Sequence, residues 1–376
     1  MTDAPPPRRV AVIGTGLIGT SAALALRERG AEVWLSDADR EVAQFAADLG
    51  AGDLLPEAGP GQPGQPPPGP ADVAVLAVPP AAVAGTLAAA QAGGLARHYT
   101  DVASVKALPL ARARSAGCDI SSYVPGHPLA GRERSGPAAA RADLFLGRTW
   151  ALCPAPETAP SAVSAVTSLV RACGAEPVVA DAAAHDRWVA LVSHAPHVVA
   201  AAMAAQLAGE SVPEQALTLA GQGLRDATRI AAGDTQLWAQ ILAANAAPVA
   251  DVLSAVAADL SEAARVLAGA ADLPQDLAAK RLAALLDRGR AGVARIPGKR
   301  GGPARAFAAV QVVIRDQPGE LARLLSAAAR AGVNIEDVGI EHSPGMPVGV
   351  AELAVRPEQA GRLIGALAAG GWPVRR

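Results

Sequence analysis

Two groups of residues in this 376-residue chain have types and spacing suited to chemistry. The first is Gly14-Thr-Gly-Leu-Ile-Gly19, which follows the apolar run Arg9–Ile13 and opens a segment with helical apolar spacing. Glycines at 14, 16 and 19 let the backbone turn tightly, approach a pyrophosphate and pack a helix on a sheet, while helix-start amides such as those of Leu17 and Ile18 face the phosphates. Asp37 ends the next strand, about twenty residues on, as a dinucleotide site requires. A carboxylate there accepts both ribose hydroxyls and repels a 2′-phosphate, which favours NAD over NADP. Arg40, three residues later, is placed to hold that phosphate and argues the other way. The second group is histidine, the side chain that titrates near neutrality. His127 stands between Gly126 and Pro128, and His194 and His197 lie three apart. That pair has the spacing of metal ligands, but no acidic or cysteine partner stands beside it, so no metal site is expected.

The elements that must position these residues read as three domains. Strands at 9–13 and 32–37 flank a helix, giving a parallel βαβ unit. Ala71–Val78 and Tyr99–Ala103 continue the sheet, Tyr123–His127 and Thr149–Cys153 add strands, and a helix at 158–173 and a strand at 176–180 complete a dinucleotide-binding domain over 1–180. Residues 59–70, almost all Gly, Pro and Gln, loop out as a spacer. From 181 to 290 the pattern is helical, with prolines at 196, 213, 248 and 274 as breaks or first-turn residues. This is an all-α substrate and dimerisation domain, because its apolar faces exceed what one layer can cover. A Gly-, Pro- and Arg-rich linker occupies 291–305. The pattern then resets to strand 307–314, helix 319–331, strands 333–342 and 348–355, helix 357–369 and a last strand near 374, a ferredoxin-like α+β unit over 306–376.

Composition narrows the class of function. Lys and Arg number 33 against 35 Asp and Glu, leaving a net charge of −2, so nothing attracts nucleic acid or an anionic membrane globally. The three cysteines are far apart and fit a reducing cytoplasm without disulfides. The N-terminus lacks the apolar core of a signal peptide. Residues 189–209 are long enough to span a bilayer, but two histidines and a proline mark them as buried helices of a soluble protein.

Two further motifs make the chain resemble a known family. Asp101-Val-Ala-Ser-Val-Lys106 and Gly126-His-Pro-Leu-Ala-Gly-Arg-Glu-Arg-Ser-Gly136, in this order after a glycine-rich βαβ unit, are similar to motifs of the prephenate dehydrogenases and their arogenate-using relatives. Ser193-His-Ala-Pro-His197, Gly223-Leu-Arg-Asp-Ala-Thr-Arg-Ile-Ala231 and Trp238 resemble the helical-domain motifs of that family. Arg225 departs from the pattern, in which lysine is common. The resemblance implies an NAD-linked oxidation of a cyclohexadienol at C4 with loss of the ring carboxylate as CO2, and a place in tyrosine biosynthesis. It implies His127 as the group that accepts the C4 hydroxyl proton, for which a neutral imidazole is well matched. Ser104 is the family's active-site serine by motif, bonding that hydroxyl or fixing the tautomer of the imidazole. The substrate is a dianion, which calls for arginine. Arg229 is the first choice, with Arg225 four residues earlier on one helix face; His197 is placed for the side-chain carboxylate and Glu133 as a gate or polar wall.

The C-terminal unit resembles an ACT domain, a ligand-sensing module that pairs and holds amino acids between protomers. Asp316, Gly319, Asn334 and Ile335 carry that resemblance and imply an amino-acid effector, L-tyrosine. The expected assembly is a cytoplasmic homodimer with prephenate as substrate, or alternatively arogenate or an amino-substituted prephenate. A β-hydroxyacid dehydrogenase, the main alternative, would need a lysine in its helical domain, and residues 181–279 contain none. A non-catalytic sensor would not need Ser104, His127 and Arg229 together.

Overall fold

Strand β1 (Arg9–Ile13) lies in the middle of a six-stranded sheet, hydrogen-bonded on both sides, and its central residues Val10, Ala11 and Val12 are buried accordingly. The computed structural model describes residues 5–56, 69–131, 134–209, 212–269, 275–296, 307–342 and 347–375. The chain divides into two compact units, Met1–Ala258 and Asp259–Arg376.

In the first unit, α1 (Leu17–Glu28), β2 (Glu32–Ser36), α2 (Arg40–Asp48) and β3 (Asp53–Leu54) extend the sheet on one side of β1. On the other side follow β4 (Ala71–Leu76), α3 (Val83–Ala92), β5 (Ala96–Asp101), α4 (Ala107–Ser115) and β6 (Tyr123–Val124). The order β3-β2-β1-β4-β5-β6 is parallel throughout, with the reversal of winding between β1 and β4. Open α/β sheets bind ligands in the crevice at such a reversal. The expected single strand Tyr123–His127 is two. β6 pairs with β5, whereas β7 (Gly126–Pro128) joins β8 (Thr149–Leu152) and β9 (Glu176–Val179) in a separate three-stranded sheet. Pro125, which has no amide hydrogen to give a ladder, stands at the change of sheet. Helix α5 (Pro160–Ala172) contributes Ala162, Val166, Leu169 and Val170 to the core.

Still in this unit, α6 (Ala182–Val189) runs into a π turn (Ala190–His194) and then α7 (Ala195–Ala205). The run Ala182–Ala208 is long and apolar enough to cross a membrane by length and composition, yet it buries His185, Asp186, His194 and His197. Four more helices follow: α8 (Glu214–Leu217), α9 (Gln222–Thr228), α10 (Thr235–Ala244) and α11 (Ala246–Ala268), with a 3₁₀ turn at Arg229–Ala232. Large apolar side chains remain exposed here, among them Trp188, Leu191, Val192 and Leu219.

The second unit holds the end of α11, then α12 (Gln275–Val293), which reaches into the segment expected as linker. Beyond it come β10 (Ala308–Arg315), α13 (Glu320–Arg330), β11 (Ile335–His342), β12 (Val348–Val355), α14 (Pro357–Ala369) and β13 (Val374–Arg375). The sheet order β11-β12-β10-β13 is antiparallel between neighbours, as in the expected ferredoxin-like unit. Alternation along β10 puts Val310, Val312 and Ile314 on the helices and their neighbours in solvent.

Candidate active site

The glycine loop has the shape of a dinucleotide cradle. Gly14 has φ +95°, and a Cβ there would stand 2.2 Å from the Ala77 carbonyl oxygen after β4. At Gly19 a Cβ would lie 1.9 Å from the Gly14 oxygen, so helix and turn close on each other only without side chains. Nothing lies within 4 Å of a Cβ placed on Gly16, the N-cap of α1; the space beside it is open. The first amides of α1, those of Leu17 and Ile18, have no acceptor within the helix. Asp37 is tied to this loop: its Oδ2 accepts from the Thr15 amide (2.6 Å) and hydroxyl (3.0 Å), and its Oδ1 from the Asp39 amide (3.1 Å). Arg40 is exposed at the start of α2.

His127, on β7, is buried. Its Nδ1 lies 3.0 Å from Nε2 of His185 on α6. The Nδ1 of His185 lies 2.9 Å from Oδ1 of Asp186. That carboxylate is anchored at the start of α4, where Oδ1 accepts from the Lys106 amide (2.8 Å) and Oδ2 from the Ala107 amide (2.9 Å). Among the described residues Nε2 of His127 makes no hydrogen bond. Burial pushes the His127 imidazole well below its usual range, with His185, Lys106 and His194 acting in the same direction. It is a neutral base at physiological pH.

A second buried network fixes the strand under His127. Lys106 and Asp101 are fully buried and paired, and the Lys106 ammonium also donates to the Gly126 carbonyl, one residue before His127. Asp101 further accepts from the Tyr123 hydroxyl and the Ala103 amide. Burial, then the charge on Asp101, raises the Tyr123 phenol well above its usual range, so it stays a donor. Ser104 sits half-buried in the same loop and makes no hydrogen bond to His127, whose Nδ1 is taken by His185 instead.

The π turn decides where the next two histidines point. Pro196 has no amide hydrogen and its ring crowds the carbonyl four residues back, and the wider turn lies at that place in the helix. With the register reset, His194 returns to the side of His185. The Asn245 amide donates to both the Asp186 carbonyl (2.8 Å) and His194 Nδ1 (3.0 Å). The proton of His194 is therefore on Nε2, a buried donor without an acceptor among the described residues. His197 is stacked on Trp238 at 3.6 Å between ring centroids, with Gly233 closed over the pair. The 3₁₀ turn carrying Arg229 packs against α7. Helix α9 ends at Thr228, so Arg225 and Arg229 do not share one continuous α-helical face as expected; both are exposed. Glu133 lies outside the described residues.

Sequence reasoning missed His185, Asp186 and Asn245, and gave Lys106 no role. One signal was legible: Lys106 is the first lysine in the chain, close behind a strand-ending aspartate. The contact between His127 and His185, 58 residues apart, had no local signature.

In the second unit the four residues with the ACT-like pattern do not gather. Asp316 follows Arg315, which pairs with Val348, while Ile335 pairs with Val355 at the other end of β12. Seven strand steps separate the two ends, roughly 23 Å. Within one chain the two groups stand at opposite ends of the sheet, because α13 carries the chain back before β11 begins. Gly319 caps α13 in the left-handed region (φ +85°), and the Asn334 amide donates to Glu336 (3.0 Å).

Comparison with known proteins fits this geometry. Residues 22–179 match the family model described as "Prephenate dehydrogenase, nucleotide-binding domain" and 181–283 that described as "Prephenate dehydrogenase, dimerization domain". The chain is 40% identical to the probable prephenate dehydrogenase NovF of Streptomyces niveus, over 97% of this chain and 99% of that protein. Among solved structures it resembles the Synechocystis arogenate dehydrogenase (TM-score 0.59, 25% identity, 76% of this chain and 99% of that one). It shares the fold of the Aquifex aeolicus prephenate dehydrogenase solved with hydroxyphenyl propionate and NAD+ (TM-score 0.63, 24% identity, 77% and 99%). With near full-length coverage by a relative and both family models in sequence order, the chain belongs to the prephenate dehydrogenase family.

Proposed function

We propose that the chain is an NAD-dependent dehydrogenase that converts prephenate to 4-hydroxyphenylpyruvate and CO2, with His127 as its base. The observation that carries this reading is a buried, neutral histidine whose one uncommitted nitrogen, Nε2, lies in a dinucleotide-binding unit. Gly14, Gly16 and Gly19 with the amides of Leu17 and Ile18 hold the pyrophosphate, and Asp37, with lone pairs left on Oδ1, takes the ribose. Bound NAD supplies the hydride acceptor for C4. His127 takes the C4 hydroxyl proton, Ser104 bonds the same oxygen, and the proton returns to the phenolate after the ring carboxylate leaves as CO2. Arg229, supported by Arg225, meets a carboxylate. His197, held by Trp238, and the unpartnered Nε2 of His194 meet the side chain. Glu133 keeps the role of gate or polar wall that the family resemblance implies.

The chain is arranged as a dinucleotide-binding domain (1–180), a helical substrate and dimerisation domain (181–290), a linker (291–305) and an ACT regulatory domain (306–376) of a soluble cytoplasmic enzyme. Exposed Trp188, Leu191, Val192 and Leu219 support a homodimer through the helical domain. L-Tyrosine is the effector of the C-terminal unit. Asp316 and Gly319 of one copy meet Asn334 and Ile335 of another if two β11 edges pair antiparallel about a two-fold axis, since that reverses one sheet end against the other. The direct experiment is NADH formation with prephenate and with arogenate, side by side. A higher kcat/KM on prephenate supports the reading, preference for arogenate transfers it to that substrate, and no NADH with either removes it.

A further inference from the structure

The base nitrogen of His127 is selected by a chain of hydrogen bonds that starts 80 residues away in sequence from its anchor. Asp186 is the fixed end. Both of its oxygens accept backbone amides at the start of α4. With both oxygens acting as acceptors, the hydrogen between Asp186 and His185 belongs to His185 Nδ1. The other nitrogen of that tautomer, Nε2, is then an acceptor. The atom facing it, His127 Nδ1, must be the donor. That leaves His127 Nε2 bare, the nitrogen that a general base needs. Reverse any one of these assignments and two donors or two acceptors face each other in a buried site.

We propose that His185 is a positioning residue that, anchored by Asp186, fixes His127 as the Nδ1–H tautomer and holds its Nε2 toward the substrate hydroxyl. The inference rests on the reading of His127 as the base. Its chemistry is that of a carboxylate-oriented histidine, extended by one imidazole. Nothing in the relay requires a covalent step: His185 accepts a hydrogen bond and passes on an orientation. The other charged or titratable groups facing this site are Lys106 and Asp101 beneath β7 and His194 from the π turn. None of them touches His127 Nδ1.

A glutamine at 185 offers an amide oxygen where His185 presents Nε2, whereas phenylalanine fills the space and accepts nothing. The test is steady-state kinetics of the full chain with prephenate and NAD for His185→Phe, His185→Gln and His127→Asn. Loss of tautomer control is expected to lower kcat of His185→Phe by about 10- to 100-fold with little change in KM, and His185→Gln to recover most of it. A merely structural role would not be rescued by an acceptor. Turnover of His185→Phe within about twofold of the parent, while His127→Asn is strongly impaired, overturns the relay and leaves the base in place. Equal impairment of both His185 variants also overturns it. Near-normal His127→Asn removes the base reading itself. Should His185→Phe fail to fold, ¹⁵N-histidine NMR of the unaltered protein decides: protonated Nδ1 and bare Nε2 in His127 are expected, and an Nε2–H signal for His127 overturns the proposal.

Discussion

The surroundings of His127 and the turn that opens α13 are both built from charged residues at the end of a strand, yet they are constructed in opposite ways. Around His127 the charges are internal. Lys106 and Asp101 are fully buried, Asp186 and His185 nearly so, and the hydrogen bond at His127 Nδ1 is made to His185, itself tied to Asp186. In the ferredoxin-like unit Glu320 is buried but its partner Arg323 is largely exposed and lies over Trp372, and the residues of the ACT-like pattern stand at opposite ends of the sheet. A group that must present one nitrogen in one tautomer needs a dry shell in which its other nitrogen is held by a fixed partner. Under the tyrosine-sensing role proposed above, the second unit is instead completed by its ligand and a second copy.

The sharpest way to break this contrast is to remove the base. His127→Asn is expected to lower kcat by roughly 10²–10⁴ while NAD binding, followed by fluorescence titration, is kept. Retained turnover would show that the dry shell serves stability alone. Next in size is the ion pair beneath it. Lys106→Met leaves Asp101 charged and buried without its partner and is expected to cost on the order of 3–5 kcal/mol in urea unfolding. Glu320→Gln, whose partner is in water, is expected to shift the midpoint far less; equal shifts would erase the distinction.

The two-copy reading of the C-terminal unit is tested by mixing. Asp316→Ala and Asn334→Ala homodimers are each expected to lose tyrosine sensitivity, and co-expressed hybrids to regain part of it, because one of their two sites is intact. Hybrids as insensitive as the parents, by inhibition curves, would count against pairing. Removing residues 306–376 should abolish the tyrosine effect while sparing turnover; unchanged inhibition would place tyrosine at the active site. The smallest expected effect is on pH. Burial lowers His194 to about 4 and His127 well below its usual range, so the unfolded chain, with histidines near 6.5, binds more protons than the folded one in between. The stability that these histidines contribute to the first unit is thus complete above pH 6.5 and declines as pH falls toward 4. In the second unit the bonds from Arg323 lower Glu320 below 4.5, so its contribution persists until pH drops past 4.5. Hydrogen exchange at pH 5.5, corrected for intrinsic rates, should show the first unit loosening alone.

Much of this is legible in the sequence. The βαβ start, the glycine roles and the βαββαβ order follow from periodicity and turn chemistry, which are local. The break at Pro125 was also local and was passed over. What could not be read is what depends on long loops closing: His127 against His185, and Asn245 tying Asp186 to His194. The separation of Asp316 from Asn334 is in principle legible, since a helix returning along a sheet puts its two ends at opposite ends of the strands. Strand direction keeps the two motifs apart within one chain.

The π turn at Ala190–His194 gives the long helical run two phases. Its first stretch is clocked to the dinucleotide-binding sheet through His185 and Asp186; its second is clocked to α10 through His197 and Trp238. Deleting one residue within the turn would restore a single α-helical phase and rotate everything downstream by about 100° relative to His185. The extra residue is therefore a spacer in angle rather than in length, and it lets one helix serve two sets of partners whose directions no regular helix could match.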